Sequence, residues 1–237
     1  GVRLQYDVAD VLSLEASWGL LTEGGRAVDD ESMALLQATG LLSERLSYFL
    51  LGALMAGSRP DQRVSTVGFG ADFYPLPSRS LELFGEGYFQ FGELGDQDKR
   101  ARAFQAGART LFRSSWIEAA VAFRSGDEDP TDGDDEGFQS CENVNQFMIV
   151  EDAALGLDID TNVLSGRLAG GVRKNPWEGR LDVGLFRVEE ELRSAGGTLL
   201  TGEEDLGVEI DGTLRWHLSP SAAIHLRGGI LAGSEVL

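Results

Sequence analysis

The residues in this sequence best placed to do chemistry are arginines that recur in step with acids at every second position. Arg109, Arg124, Arg167, Arg173, Arg180, Arg215 and Arg227 share their phase with Glu82, Glu86, Glu118, Asp182, Glu209 and Asp211. A guanidinium carries a permanent charge and a fork of donors that matches a carboxylate, so rings of arginine around a water-filled passage select anions. The plainer alternative is cross-strand pairing, in which each arginine neutralises a neighbouring acid and merely knits a wall. On either reading these side chains line one face of extended strands, as candidate pore-lining residues.

A second cluster is purely acidic. Asp127, Glu128, Asp129, Asp132, Asp134, Asp135 and Glu136 crowd one stretch, and Asp127, Asp129 and Asp132 are candidate ligands for Ca²⁺, which takes hard oxygens at close spacing. The EF-hand pattern fails because Asp132 stands where glycine is required, and a solvated external loop explains the run equally well. No other cofactor is expected. Catalysis finds little support: His217 and His225 fall on adjacent strands, but there is no nucleophile elbow, no His–Glu metal helix and no phosphate loop. The chain is therefore expected not to be an enzyme, with a Ser–His hydrolase as the minor alternative.

The totals exclude other classes. A formal charge of −19 and a pI near 4.4 lack the basic footprint that nucleic acid requires. The lone Cys141 excludes an internal disulfide framework. With 31 glycines, six prolines, 42% hydrophobic residues and no apolar run near twenty residues, the chain fits neither a transmembrane helix nor a disordered polymer.

The elements that position the charged residues are strands, because the apolar residues recur with period 2. Leu206, Val208, Ile210, Leu214, Trp216 and Leu218 fall on one face, and Glu209, Asp211, Thr213, Arg215 and His217 on the other. Ile224, Leu226 and Ile230 oppose His225, Arg227 and Gly229 in the next segment, and Val2–Val8 and Leu12–Leu20 repeat the rule. Further strands are read at 45–57, 63–73, 80–92, 101–112, 116–125, 161–173 and 179–190. The polar face mixes arginine, acid and glycine, and the whole chain has only the lysines Lys99 and Lys174, which suits a barrel lumen better than the water-facing side of a sandwich. Ten to twelve residues at ~3.3 Å each, tilted by ~45°, span roughly 25 Å, the height of the apolar band of an outer-membrane barrel. Trp18, Tyr74, Trp177 and Trp216 lie near strand ends, where aromatic girdles belong.

Connections support the same architecture. Short ones at 9–10, 75–79, 113–115, 174–178 and 218–221 alternate with long ones at 21–31, 94–100, 126–160 and 191–204. Up-and-down parity then requires a strand near 32–40, giving twelve, and makes 58–62 an external turn. The same parity starts the first strand and ends the last, 222–233, on the outer side, so a single barrel domain over 1–237 is expected to be incomplete at both ends.

Two segments carry a family resemblance. Phe123-Arg124-Ser125-Gly126-Asp127-Glu128-Asp129-Pro130-Thr131-Asp132-Gly133 resembles the "SGD-D-P-DG" signature of alginate-export outer-membrane porins, and Leu206-Gly207-Val208-Glu209-Ile210-Asp211 is similar to that family's "LG-E-D" strand. The resemblance covers residues 80 to 237. It implies a transmembrane antiparallel up-and-down β-barrel of about 18 strands, of which twelve are visible here, with an arginine-lined, anion-selective lumen. The expected activity is passive, selective passage of an anionic polysaccharide or oligosaccharide across the bacterial outer membrane. Expected partners are the lipid bilayer, the anionic saccharide or another small anionic solute, and a periplasmic export or envelope partner. The alternatives are a general or small-solute porin, a structural or adhesive barrel with a closed lumen, and a soluble β-protein.

Overall fold

Alternation of apolar and charged side chains produces twelve long strands and one two-residue strand in the computed structural model, which describes residues 1–8, 11–20, 32–57, 62–127, 132–139, 147–151, 159, 161–188, 205–219 and 221–233. They are β1 (Val2–Val8), β2 (Leu12–Leu20), β3 (Ser32–Ser43), β4 (Leu46–Ala56), β5 (Gln62–Phe73), β6 (Leu81–Leu94), β7 (Gln97–Leu111), β8 (Ser115–Arg124), β9 (Asp134–Asp135), β10 (Val163–Lys174), β11 (Trp177–Val188), β12 (Asp205–Ser219) and β13 (Ala222–Ala232). Each long strand pairs antiparallel with the next, and β8 pairs directly with β10, so the topology is a plain up-and-down meander. Among the described residues there is no helix, and β1 and β13 stand at opposite edges of an open sheet.

Register fixes the two faces. Arg109 stands opposite both Glu82 and Glu118, Arg180 opposite Gly171 and Thr213, and Asp182 opposite Ala169 and Asp211. A one-residue slip in any of these pairings would turn the arginines to the other side. The opposite face carries Leu4, Leu36, Leu50, Phe89, Val121, Leu168, Leu185, Leu214 and Leu226, all exposed. No second layer covers them among the described residues, so the apolar face of a sandwich is not what they form.

Aromatic residues collect at the strand ends as expected. Trp177 and Trp216 are register partners whose rings stack at 5.0 Å, next to the exposed Leu218 at the end with the short connections. Trp18 is exposed at the other end, two residues before β2 stops.

The structure departs from the sequence reading in three places. The connection expected over 94–100 is a tight turn at Gly95 and Asp96, since β6 runs to Leu94 and β7 begins at Gln97. Gly95 has φ +68°, the left-handed conformation a two-residue hairpin demands, and the polar run Asp98, Lys99, Arg100 is strand. Leu206, read as lying on the apolar face, is wholly buried on the arginine face. A bulge between the pairs Phe186↔Gly207 and Arg187↔Asp205 leaves Leu206 unpaired, and Gly207 at φ +104° absorbs the turn. The third departure is the segment between β8 and β10.

That segment, expected as a solvated external loop over 126–160, folds back in its described parts onto the arginine face. The strand β9 adds parallel to the start of β7, with Asp98 opposite Asp134 and Lys99 opposite Asp135. The buried core of the molecule lies beneath this fold-back. One cluster joins Phe147, Val150 and Ile159 to Val163, Phe186, Val188 and Leu206, and a second sets Phe138 on Ala101, Ala103 and Tyr88.

Candidate functional site

Strand alternation delivers the charged residues to one surface, and the register decides which partners each can reach. Arg109 on β7 donates from Nε to Glu118 of β8 at 2.7 Å and lies 3.5 Å from Glu82 of β6. Arg167 on β10 reaches the other oxygen of Glu118 and lies 3.7 Å from Asp182 of β11. Arg180 donates to both oxygens of Asp182, at 2.6 and 2.7 Å, and Arg227 on β13 donates to Asp211 of β12 at 3.3 Å. The result is one belt of charge running from β6 across to β13.

The belt has an asymmetry that spacing alone did not reveal. Glu118, Asp182, Glu209 and Asp211 are buried, whereas Arg173 and Arg215 are exposed and the side chains of Arg109, Arg180 and Arg227 are 32–40% exposed. Arg173 and His217 both approach Glu178 Oε1, at 2.9 and 3.0 Å, near the short-turn end. Glu86 is half-buried and accepts a hydrogen bond from the Tyr88 hydroxyl at 3.1 Å.

Glu209 and Asp211 stand apart from the rest of the predicted set, because the inward segment lies on them. Ile149 and Val150 donate their backbone N–H groups to the two oxygens of Glu209 at 2.7 and 2.9 Å, and Met148 donates to Asp211 at 2.9 Å. Within the segment Phe147 N–H donates to Glu151 at 3.0 Å, and Arg124 on β8 ties down the other oxygen of Glu151 at 3.4 Å. Three consecutive amides aimed at two wall carboxylates form a concave anion nest, already filled by the protein's own acids. Phe147 closes edge-on against Phe186 at 4.8 Å, so the seat is apolar as well as charged.

The other end of the segment is fastened at Ser125, in the motif that carried the family resemblance. Its carbonyl accepts from Phe138 N–H, Asn162 N–H and the Thr161 hydroxyl, while its Oγ accepts from Arg102 N–H and donates to the Glu136 carbonyl. Gly126 follows because the Asn162 side chain occupies the space a Cβ would need. Further along, Gln90 exchanges two hydrogen bonds with the backbone of Gln139, at 2.7 and 2.9 Å. Lys99 is buried and donates to Asp135 at 2.9 Å and to the Gly137 carbonyl. None of Ser125, Lys99, Gln90 or the amides of 148–150 was a candidate site residue from the sequence, although Ser125 stands in the resemblance motif and Lys99 is one of the two lysines. The detectable signal was the lone pair of lysines in an arginine-rich chain; backbone donors leave no trace in residue types.

Of the candidate calcium ligands only Asp127 and Asp132 fall among the described residues. Asp129 and Cys141 lie outside the described residues, Asp132 accepts the N–H of Asp134 at 2.9 Å, and among the described residues no three His, Cys, Asp or Glu side chains gather as a metal would require. Burial pushes the Asp127 carboxyl above its ordinary range, helped by repulsion from Asp135, Asp132 and Glu136.

Sheet order, exposed apolar face and inward segment together define an antiparallel β-barrel fold of the porin type. The sequence matches no protein-family model and no curated protein. Among solved structures it is similar to the crystal structure of OpdL from Pseudomonas aeruginosa, an outer-membrane porin, with a TM-score of 0.65 and 13% identity. The alignment covers 96% of this chain and 64% of OpdL, so the chain spans less than two thirds of that protein's length. At this identity the likeness is one of fold.

Proposed function

We propose that the chain forms the wall of a bacterial outer-membrane channel, not an enzyme, and that it passes anionic solutes, with acidic oligosaccharide or polysaccharide of the alginate kind as the leading class. The observation that carries this reading is the uneven exposure of the paired charges. Arg109 and Arg180 are each 40% exposed and Arg227 32%, while Glu118, Asp182 and Asp211, which neutralise them on paper, are 2–5% exposed. A solute moving along this face meets arginine side chains before carboxylates, so the local field attracts anions although the chain as a whole is strongly acidic. The exposed apolar face of the same strands supplies the surface that hydrocarbon requires.

One observation favours a second reading, a porin for small anions. Residues 132–139 and 147–151 occupy space on the arginine face that a polymer would need. Single-channel recording of the full-length chain in planar bilayers separates the readings. Reversal potentials favouring anions, with block by uronate oligomers, are expected. Anion preference with no block leaves the small-anion porin, and no anion preference removes both.

A further inference from the structure

Trp116, the second residue of β8, lies on the arginine face and is half-buried. Its indole extends over β10 at Gly171, where a Cβ would lie 2.5 Å from Nε1. Only a glycine at that position lets the ring settle against the strand. Two guanidiniums from different strands meet this one ring: Arg109 from β7, with its central carbon 5.9 Å from the centroid, and Arg180 from β11, at 5.6 Å. Both distances are within the range of cation–π attraction.

Each guanidinium is therefore held from two sides. Glu118 takes Arg109 at Nε and Nη2, with Nη1 3.5 Å from Glu82, and Asp182 takes Arg180 at Nε and Nη2, while the indole stands within cation–π distance of both. Because Arg180 directs Nε and Nη2 at Asp182, the edge bearing Nη1 remains for a solute. Beside Arg109 opens a recess of about 250 Å³, lined by Phe49, Phe84 and Gln105, by the acids Asp72, Glu82, Glu86 and Glu118, and by Arg167. Such a volume accommodates a ring the size of one monosaccharide: the aromatic walls suit a sugar's C–H face and the acids and amide its hydroxyls, so the ring's carboxylate must turn out of the recess toward the guanidiniums.

We propose that Trp116, Arg109 and Arg180 form a binding station for one carboxylate carried on a saccharide ring, a proposal that rests on the anion-channel reading above. Trp116 is a positioning residue: it spaces and orients two guanidiniums so that a single carboxylate can be received between the wall and the passage. Charge alone would attract anions along the whole belt; the station makes one point of it saturable.

The test is block of single-channel current by trigalacturonate in the full-length chain, with maltotriose as the neutral control and W116A, W116F and W116L as variants. Wild type is expected to show saturable block by trigalacturonate and far weaker block by maltotriose. W116A is expected to raise the half-blocking concentration about fivefold, the scale of one cation–π contact. W116F should restore most of the block. Where W116A fails to assemble, W116L keeps the apolar volume and removes the π face. Block unaffected by W116A or W116L, or maltotriose blocking as strongly as trigalacturonate, overturns the station while leaving the anion channel standing. Loss of anion preference in the wild type overturns both.

Discussion

At the scale of single residues, burial decides what an ion pair contributes. Arg167 is 10% exposed and stands between Glu118 and Asp182, themselves 2% and 5% exposed, whereas Arg173 is 79% exposed beside Glu178. Removing Arg167 leaves two buried carboxylates with only Arg109 and Arg180 to neutralise them, a loss of about 3 kcal/mol on the scale of a broken buried pair. Removing Arg173 costs under about 1 kcal/mol, because water replaces it. Urea unfolding of R167A and R173A in lipid vesicles should reproduce that order, and equal midpoints would show that the belt is no tighter at its centre than at its rim. Alternation identified both arginines from the sequence and set them on one face with the acids, as the register does. It carried no information on depth, because depth depends on which neighbour covers each side chain.

At the scale of elements, a wall of strands and an inward segment are held by different physics. The strands need only period-2 patterning and turn residues, which is why eleven of the long strands were legible directly, while β3 followed from up-and-down parity and the apolar run at 32–36. The segment is fixed by backbone amides on Glu209 and Asp211, by the Ser125 carbonyl and by Lys99, groups whose partners lie up to 63 residues away. An acidic run with glycine and proline reads as a loop, and no local pattern says whether a loop projects outward or folds back over the arginine face. Its seat can be loosened without touching the strands. E209Q keeps the side-chain volume but replaces one acceptor oxygen by an amide donor, so either Ile149 or Val150 loses its buried partner at a cost of about 1–3 kcal/mol. Hydrogen exchange at those two amides should quicken by about tenfold or more and open-channel conductance should rise, while the amides of β10 and β11 keep their protection. Unchanged exchange at 149 and 150 would show that the apolar cluster around Phe147 alone holds the segment.

At the scale of the whole molecule, the two faces of one sheet demand two solvents. The belt of arginines and acids would be costly in hydrocarbon, and the apolar face on the other side, with Arg102 beside Phe89 toward one end, is far larger than a water-soluble protein exposes. The order of residues along each strand puts Leu168 at mid-height of β10 and Phe112 just beyond the end of β7, both pointing away from the arginine face and both exposed. In a bilayer these positions differ sharply: arginine at mid-height costs about 2–4 kcal/mol and near the interface about 0–1 kcal/mol. In water they are equivalent, and a charge at either would aid solubility. L168R should therefore unfold at markedly lower urea than F112R in phosphatidylcholine vesicles, with F112R close to wild type. Equal tolerance of both substitutions would mean that the leucine side of the sheet meets water or another protein layer, and the barrel reading would fall with it.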